Sequence, residues 1–212
     1  MEDILIYLSE QITSFDRSIL KALYHNLSRG PAGGILDNIM PIITMLGDAG
    51  IVWIVLSIVF MIPKKTRRTG FGMAVSLLLC LIFGNGVIKH LVARTRPYDM
   101  IGAIVPRERL LIAAPGDYSF PSGHTMSSVA AATALFKDHS VWGFLAFVLA
   151  LLIAFSRLYL QVHYPSDVLG GLIIGFLMGL WGCNIVKVIA DHFTKNKKKK
   201  EEPAPVPATA EE

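Results

Sequence analysis

Three short stretches hold residues that an apolar chain rarely carries without a use for them. They are KHLVARTRP (Lys89 to Pro97), SFPSGHTMSS (Ser119 to Ser128) and SRLYLQVHYPSD (Ser156 to Asp167). In the third, His163 and Asp167 are four residues apart. That spacing suits a carboxylate holding one imidazole nitrogen while the other acts; a buried structural pair is the ordinary alternative. In the second, Pro121, Ser122 and Gly123 read as a loop that opens a helix. Free amide N–H groups at a helix start bind anions, phosphate above all. Gly123 leaves room for close backbone approach, and His124 is placed to donate a proton. A plain N-cap would explain Ser122, but not the histidine beside it. In the first, Lys89 and Arg96 would share one face of a continued helix, about 10 Å apart along its axis. Cations snorkelling from a helix end are the ordinary alternative there.

Together the three stretches point to one chemistry. Lys89, Arg96 and Arg157 are permanent cations, and the carboxylates near them in sequence are Asp99, Asp117 and Asp167. Cations in excess beside a helix N-terminus suit a multiply charged anion. Phosphoryl transfer needs its equatorial oxygens neutralised, an in-line nucleophile and an acid for the leaving oxygen. His163 fits the nucleophile, Asp167 its orienting partner and His124 the acid.

The elements that must position these residues are membrane spans. The 212-residue chain is 53% hydrophobic, with a mean hydropathy of +0.52 and only 17% charged residues; soluble domains carry roughly a quarter. Its apolar runs, of roughly 15–23 residues, are the length that crosses a hydrocarbon core about 30 Å thick. The expected fold is an all-α, polytopic membrane helix bundle of five, possibly six, spans with an amphipathic N-terminal helix. Residues 1–34 form the amphipathic interfacial segment, with Asp16, Arg17 and Lys21 at helical spacing, and 35–46 a short helix at the membrane edge. Spans follow over about 47–62, 70–92, 121–136, 140–158 and 167–190, so the membrane domain is 35–192. The tail 193–212, KNKKKK followed by a Pro/Ala-rich end, is expected to be disordered.

The clusters KKTRR (Lys64 to Arg68) and KNKKKK flank four spans and so lie on one side, the cytoplasm by the positive-inside rule. Loop 93–119 and link 156–167 then share the outer side, although Arg94, Arg96, Arg107 and Arg109 oppose that orientation. The acidic start MEDIL does not resemble a signal peptide, so the first span is expected to direct insertion. Cys80 and Cys183 lie within apolar runs and form no C-x-x-C pair, which argues against a disulfide framework or a zinc site. The lysine run suits anionic lipid rather than nucleic acid.

K-x6-RP (Lys89 to Pro97), PSGH (Pro121 to His124) and SR-x5-H-x3-D (Ser156 to Asp167) resemble the three motifs of the type-2 phosphatidic acid phosphatase superfamily, in order and over about residues 35–190. Within it the chain looks like the small bacterial undecaprenyl-diphosphate phosphatases, which regenerate the carrier lipid for cell-wall synthesis. The resemblance implies that His163 attacks phosphorus to form a phosphohistidine, that Asp167 fixes its tautomer and that His124 protonates the departing oxygen. It implies that Lys89, Arg96, Ser122, Gly123 and Arg157 hold the phosphate oxygens, with no metal or other cofactor. The partners expected are a lipid phosphate or diphosphate and the surrounding membrane lipids, and no oligomeric state is implied. Many members have six spans where five are counted here. A phosphatidylglycerophosphate or phosphatidate phosphatase, or a lipid phosphotransferase, is the alternative. A non-catalytic anion-binding protein or transporter would use the same cations but would not need His163 and Asp167.

Smaller features carry structural expectations. Gly171, Gly175 and Gly179 recur every four residues, which packs a span closely on a neighbour. Trp53, Trp142 and Trp181 are expected to face lipid or the interface, and Asn85 to bond between helices. Arg157 and His163, six apart, would point about 120° away from each other on one helix. The helix must therefore end before His163, and Tyr164-Pro165 supplies the break.

Overall fold

In lipid every backbone N–H and C=O must be satisfied within the protein, and a helix does this segment by segment. The computed structural model describes residues 2–28, 30 and 32–201, and among them all regular structure is helical. The helices are α1 (Glu2–Leu23), α2 (Gly33–Met45), α3 (Ile51–Met61), α4 (Arg67–Leu79), α5 (Lys89–Val92), α6 (Gly123–Asp138), α7 (Ser140–Tyr159) and α8 (Pro165–Glu201). A π-helical stretch, Cys80–Ile88, joins α4 to α5 without a break. Among the described residues four segments are long and apolar enough to cross a membrane: Gly33–Met61, Arg67–Asp99, Ser140–Tyr159 and Pro165–Asn196.

The remaining expected span, α6, is the centre of the bundle. Its 16 residues reach about 24 Å, and it packs against α3, α4, α7 and α8. Small residues make this possible: Ala130, Ala131, Ala132 and Ala134 are all fully buried. Lipid tails are as apolar as the side chains, so helices gain little by hiding apolar surface from them; close packing and hydrogen bonds hold the bundle instead. The glycines of α8 serve that packing. A methyl group on Gly175 would lie 2.4 Å from the carbonyl oxygen of Met126, and one on Gly179 2.8 Å from that of Ala130. Gly175→Ala should therefore lower the thermal midpoint in detergent, by an overpacking cost of about 1–3 kcal/mol. Gly34→Ala, with nothing within 4 Å of the added carbon, should not. An unchanged midpoint for Gly175→Ala would contradict the packing.

Three expectations change. The short helix expected over 35–46 joins the first span: α2 and α3 form one segment, kinked at Asp48–Gly50, where Ala49 and Gly50 take φ of 50° and 67°. The disorder expected from 193 does not begin there. α8 continues to Glu201, because Lys, Asn and Glu sustain a helix already nucleated upstream and no proline or glycine intervenes before Pro203; residues 202–212 lie outside the described ones. Trp53 does not face lipid. It is buried in the core, where its indole N–H donates to Ser128 Oγ at 2.8 Å. Trp142 and Trp181 are exposed on the outer faces, as expected.

Candidate active site

Each of the three stretches lies where a helix starts or stops. α7 ends in a Schellman motif: Val162 N donates to Arg157 O at 3.2 Å and Gln161 N to Leu158 O at 3.0 Å. Gln161, at φ 59°, occupies the left-handed position that glycine usually takes. Pro165 then opens α8, and Asp167 Oδ2 accepts the N–H of Tyr164 at 2.9 Å, as an acidic residue in a helix's first turn caps the residue before it. The bend expected between Arg157 and Asp167 is thus present, and it leaves His163 in the link between α7 and α8.

The first stretch behaves differently from expectation. α5 stops at Val92, and Ala93 turns left-handed at φ 46°. Lys89 and Arg96 therefore do not share a helix face. They meet through Asp117, whose carboxylate accepts from Lys89 Nζ and, at 2.5 Å, from Arg96 Nη2. Arg96 is further fixed by Nε to Asp117 O and Nη1 to Val162 O, both at 2.7 Å. Burial raises the Asp117 carboxyl, but the Lys89 hydrogen bond and the Arg96 charge outweigh it and hold it near 2. Asp117 is therefore an anion throughout the physiological range. Asp99, another of the carboxylates near these cations in sequence, pairs with Arg107.

One cavity of about 570 Å³ collects Lys89, Arg96, Gly123, His124, Arg157 and His163. Its far walls are apolar, formed by Ile54 of α3 and by Ala74, Leu77, Leu78 and Leu81 of α4 and the π stretch. Ile54, Leu78 and Leu81 are also exposed on the outer surface of the bundle, so the apolar end of the cavity reaches the lipid-facing side.

His163 is buried, with Nε2 3.3 Å from Arg96 Nη1 and Nδ1 3.5 Å from Asp167 Oδ2. Asp167, also buried, is held from behind by Ser119 Oγ, Tyr164 N and Arg94. Burial pushes the His163 imidazole down to about 3; the nearby Asp167 carboxylate opposes this, and the charges of Arg96 and Arg157 add to it. At neutral pH the ring is neutral and keeps a lone pair. His124 Nε2 lies 2.7 Å from Asp48 Oδ1 and 3.4 Å from Arg157 Nη1. Arg157 is buried, donates to Thr44 Oγ1 at 2.7 Å, and its Nε meets no acceptor in the described chain.

Of the eight residues singled out from sequence, six line the cavity. Asp167 stands directly behind His163. Ser122 is one layer back: its hydroxyl shares a hydrogen bond with Thr125 Oγ1 at 2.9 Å, and its N–H donates to Asp167 O at 3.1 Å. Its hydroxyl does not cap α6; the residue ties the start of α6 to the start of α8. Among the described residues Asn85 makes no helix-to-helix bond. It lines the cavity, its Oδ1 is without a partner, and that oxygen stands 3.0 Å from where a Gly123 side chain would begin. A side chain at Gly123 would crowd that oxygen. Sequence reasoning missed Arg94, Asp16, Asp48 and Thr44, which touch site residues only through the tertiary fold.

A helical membrane bundle with a buried histidine–carboxylate pair facing a cluster of cations defines a class, the membrane phosphatases. Residues 69–190 match the PAP2 superfamily, and the chain belongs to it. It is 31% identical over 173 residues to an undecaprenyl-diphosphatase of Sulfolobus acidocaldarius, covering 81% of this chain and 77% of that protein. It is 30% identical over 162 residues to the undecaprenyl-diphosphatase BcrC of Bacillus subtilis, covering 76% and 79%. Its fold is similar to the crystal structure of a transmembrane PAP2-type phosphatidylglycerolphosphate phosphatase from Bacillus subtilis. The TM-score is 0.64 at 28% identity, over 86% of this chain and 87% of that one. The chain is a membrane phosphatase of lipid phosphates.

Proposed function

We propose that this phosphatase hydrolyses a polyprenyl diphosphate, undecaprenyl diphosphate foremost, to the monophosphate and inorganic phosphate through a phosphohistidine on His163. The observation that carries this is a cavity lined both by the site's cations and by apolar side chains, of which Ile54, Leu78 and Leu81 reach the lipid-facing surface. Lys89, Arg96 and Arg157 supply the positive charge that an in-line phosphoryl transfer needs on its equatorial oxygens. His163 Nε2 attacks the terminal phosphorus as the bond to the bridging oxygen breaks. Asp167 steadies the Nδ1 proton and the charge that the ring gains. His124 gives its proton to the departing lipid phosphate and takes one from the water that then hydrolyses the phosphohistidine. Arg157 Nε, without an acceptor in the described chain, is available to the same anion.

If His124 is the acid, His124→Ala should cost about a hundredfold on lipid phosphates and less than about tenfold on an aryl phosphate whose leaving group needs no proton. Equal losses would contradict the role. The substrate class is tested by comparing kcat/KM for undecaprenyl diphosphate and phosphatidylglycerophosphate under one set of conditions. The diphosphate should be preferred at least tenfold, by about 1.4 kcal/mol of transition-state binding. The opposite preference would favour the second reading, a phosphatidylglycerophosphate phosphatase, which the fold similarity to the Bacillus subtilis enzyme supports.

We also place the active site on the outer face. Three of the four arginines that oppose that orientation have local partners: Arg94 pairs with Asp16 and Asp167, Arg96 with Asp117, and Arg107 with Asp99. In a background lacking Cys80 and Cys183, Asp99→Cys should react with an impermeant maleimide added outside intact cells. Reaction only after permeabilisation would invert the orientation.

A further inference from the structure

The N-terminal helix has one residue that an interfacial amphipathic helix does not need. Tyr7, Ile12 and Phe15 are exposed on α1, but Asp16, one residue further on, is only 1% exposed. Its carboxylate points into the bundle. Oδ1 accepts the N–H of Ser166 at 2.9 Å, and Oδ2 accepts from Ser166 Oγ and, at 2.8 Å, from Arg94 Nη2. The other arm of Arg94, Nη1, donates to Asp167 Oδ1 and to Ser166 Oγ, each at 2.7 Å. The Arg94 guanidinium lies over the Tyr164 ring, 4.0 Å from its centre. Two further bonds seat the helix: Arg17 Nη2 to Gly102 O at 2.9 Å and Gln161 Nε2 to Leu20 O at 3.1 Å.

We propose that α1 is part of the catalytic apparatus, with Asp16 a positioning residue that fixes, through Arg94 and Ser166, the carboxylate behind His163. The inference rests on the roles proposed above for His163 and Asp167. A planar guanidinium held by a carboxylate on each arm has one orientation. Asp16 also caps the Ser166 N–H in the first turn of α8, next to the Tyr164 N–H that Asp167 caps. The pair therefore locks the turn that carries Asp167. Partners that orient metal ligands from behind typically cost tenfold to a hundredfold when lost, and Asp16 stands in the same relation to Asp167 through Arg94. Asp16 lies outside the 69–190 match to the family, so this support comes from a segment the motifs do not contain.

Behind the His163 ring, charge alternates along the row Asp167, Arg94, Asp16. The charged groups that face His163 are Arg96, Arg157 and Asp167; Arg94 faces Asp167, and Arg94 with Ser166 faces Asp16. Removing the negative charge of Asp16 lets Arg94 draw on Asp167 undivided, which makes His163 less basic. Removing Arg94 does the reverse.

The test uses the purified full chain in detergent, with farnesyl diphosphate as substrate, over about pH 2 to 9, a range that spans the depressed His163 titration. Asp16→Asn should lower kcat by about ten- to a hundredfold with KM changed less than about threefold. Its acid limb of kcat/KM should move down by about half a pH unit, whereas that of Arg94→Gln moves up. The substrate's own ionisation is common to all variants and cancels in the comparison. Asp16→Glu should recover much of the lost kcat. If Asp16→Asn does not fold, Ser166→Ala, which removes the hydroxyl shared by Asp16 and Arg94, should show the same kcat loss at near-constant KM. A wild-type kcat and acid limb in Asp16→Asn, or acid limbs that move the same way in both charge variants, would overturn the inference. If His163→Ala stays active, it is the proposed function that fails; if His163→Ala is dead and Asp16→Asn is wild type, only the role of Asp16 fails.

Discussion

His163→Ala should lose at least about 10⁴-fold in kcat while folding like the wild type. Groups that form the covalent intermediate act as a unit with their partners, and removing one removes most of the chemistry. The residue sits in the link between α7 and α8, not in a packed helix face. Its ring touches Arg96 at 3.3 Å and Asp167 at 3.5 Å, so its loss opens space in the cavity and leaves the bundle packing in place. The thermal midpoint should stay close to that of the wild type. His163→Asn and His163→Gln should be equally inactive, because neither amide attacks phosphorus. Turnover within tenfold of wild type in any of the three would contradict the mechanism, and a protein that no longer folds would contradict the placement of the ring.

Asp167→Asn should lose about 10³-fold or more in kcat, by analogy with other histidines deprived of an orienting carboxylate, and should also be destabilised. The two effects have one source. Arg94 Nη1, Ser119 Oγ and Tyr164 N all donate to the two oxygens of Asp167, and His163 Nδ1 faces them. An asparagine keeps one acceptor oxygen and sets an NH₂ against groups that are themselves donors. Either the Arg94 bond to Oδ1, or the Ser119 and Tyr164 bonds and the His163 contact at Oδ2, must fail. The buried position makes an unmatched donor cost about 1–3 kcal/mol, so the thermal midpoint should fall in Asp167→Asn but not in His163→Ala. Retention of more than a tenth of wild-type kcat would show that His163 does not depend on this carboxylate.

The residue types and spacings of the three motifs were enough to name the groups that meet in the cavity. They succeed because a cation, a histidine or a carboxylate beside a membrane span is costly without a partner. The bend after Arg157 was also legible, from Tyr164-Pro165 and from the angle between Arg157 and His163. The joints themselves were not. Ala49, Ala93 and Gln161 all adopt positive φ, and none is the glycine or asparagine that would signal such a turn. Hence Lys89 and Arg96 looked like two residues on one helix face. Ser122 looked like a phosphate ligand because its place in PSGH says so, whereas its hydroxyl goes to Thr125. Asp16, Thr44 and Asp48 reach the site from segments far away in sequence. Asp16 in particular looked like one more charge on the wet face of an amphipathic helix, because periodicity does not distinguish a carboxylate facing water from one facing a buried arginine.

The most direct measurement of the central claim is a rapid quench of the purified enzyme with a polyprenyl diphosphate labelled in its terminal phosphate, in the presence of EDTA. Lys89, Arg96 and Arg157 supply the charge, so turnover should persist with the chelator. Label should accumulate on the protein within the first turnover, as an acid-labile, base-stable phosphohistidine in the peptide that contains His163. No label on the protein during active turnover, or label on any other residue, would contradict the account.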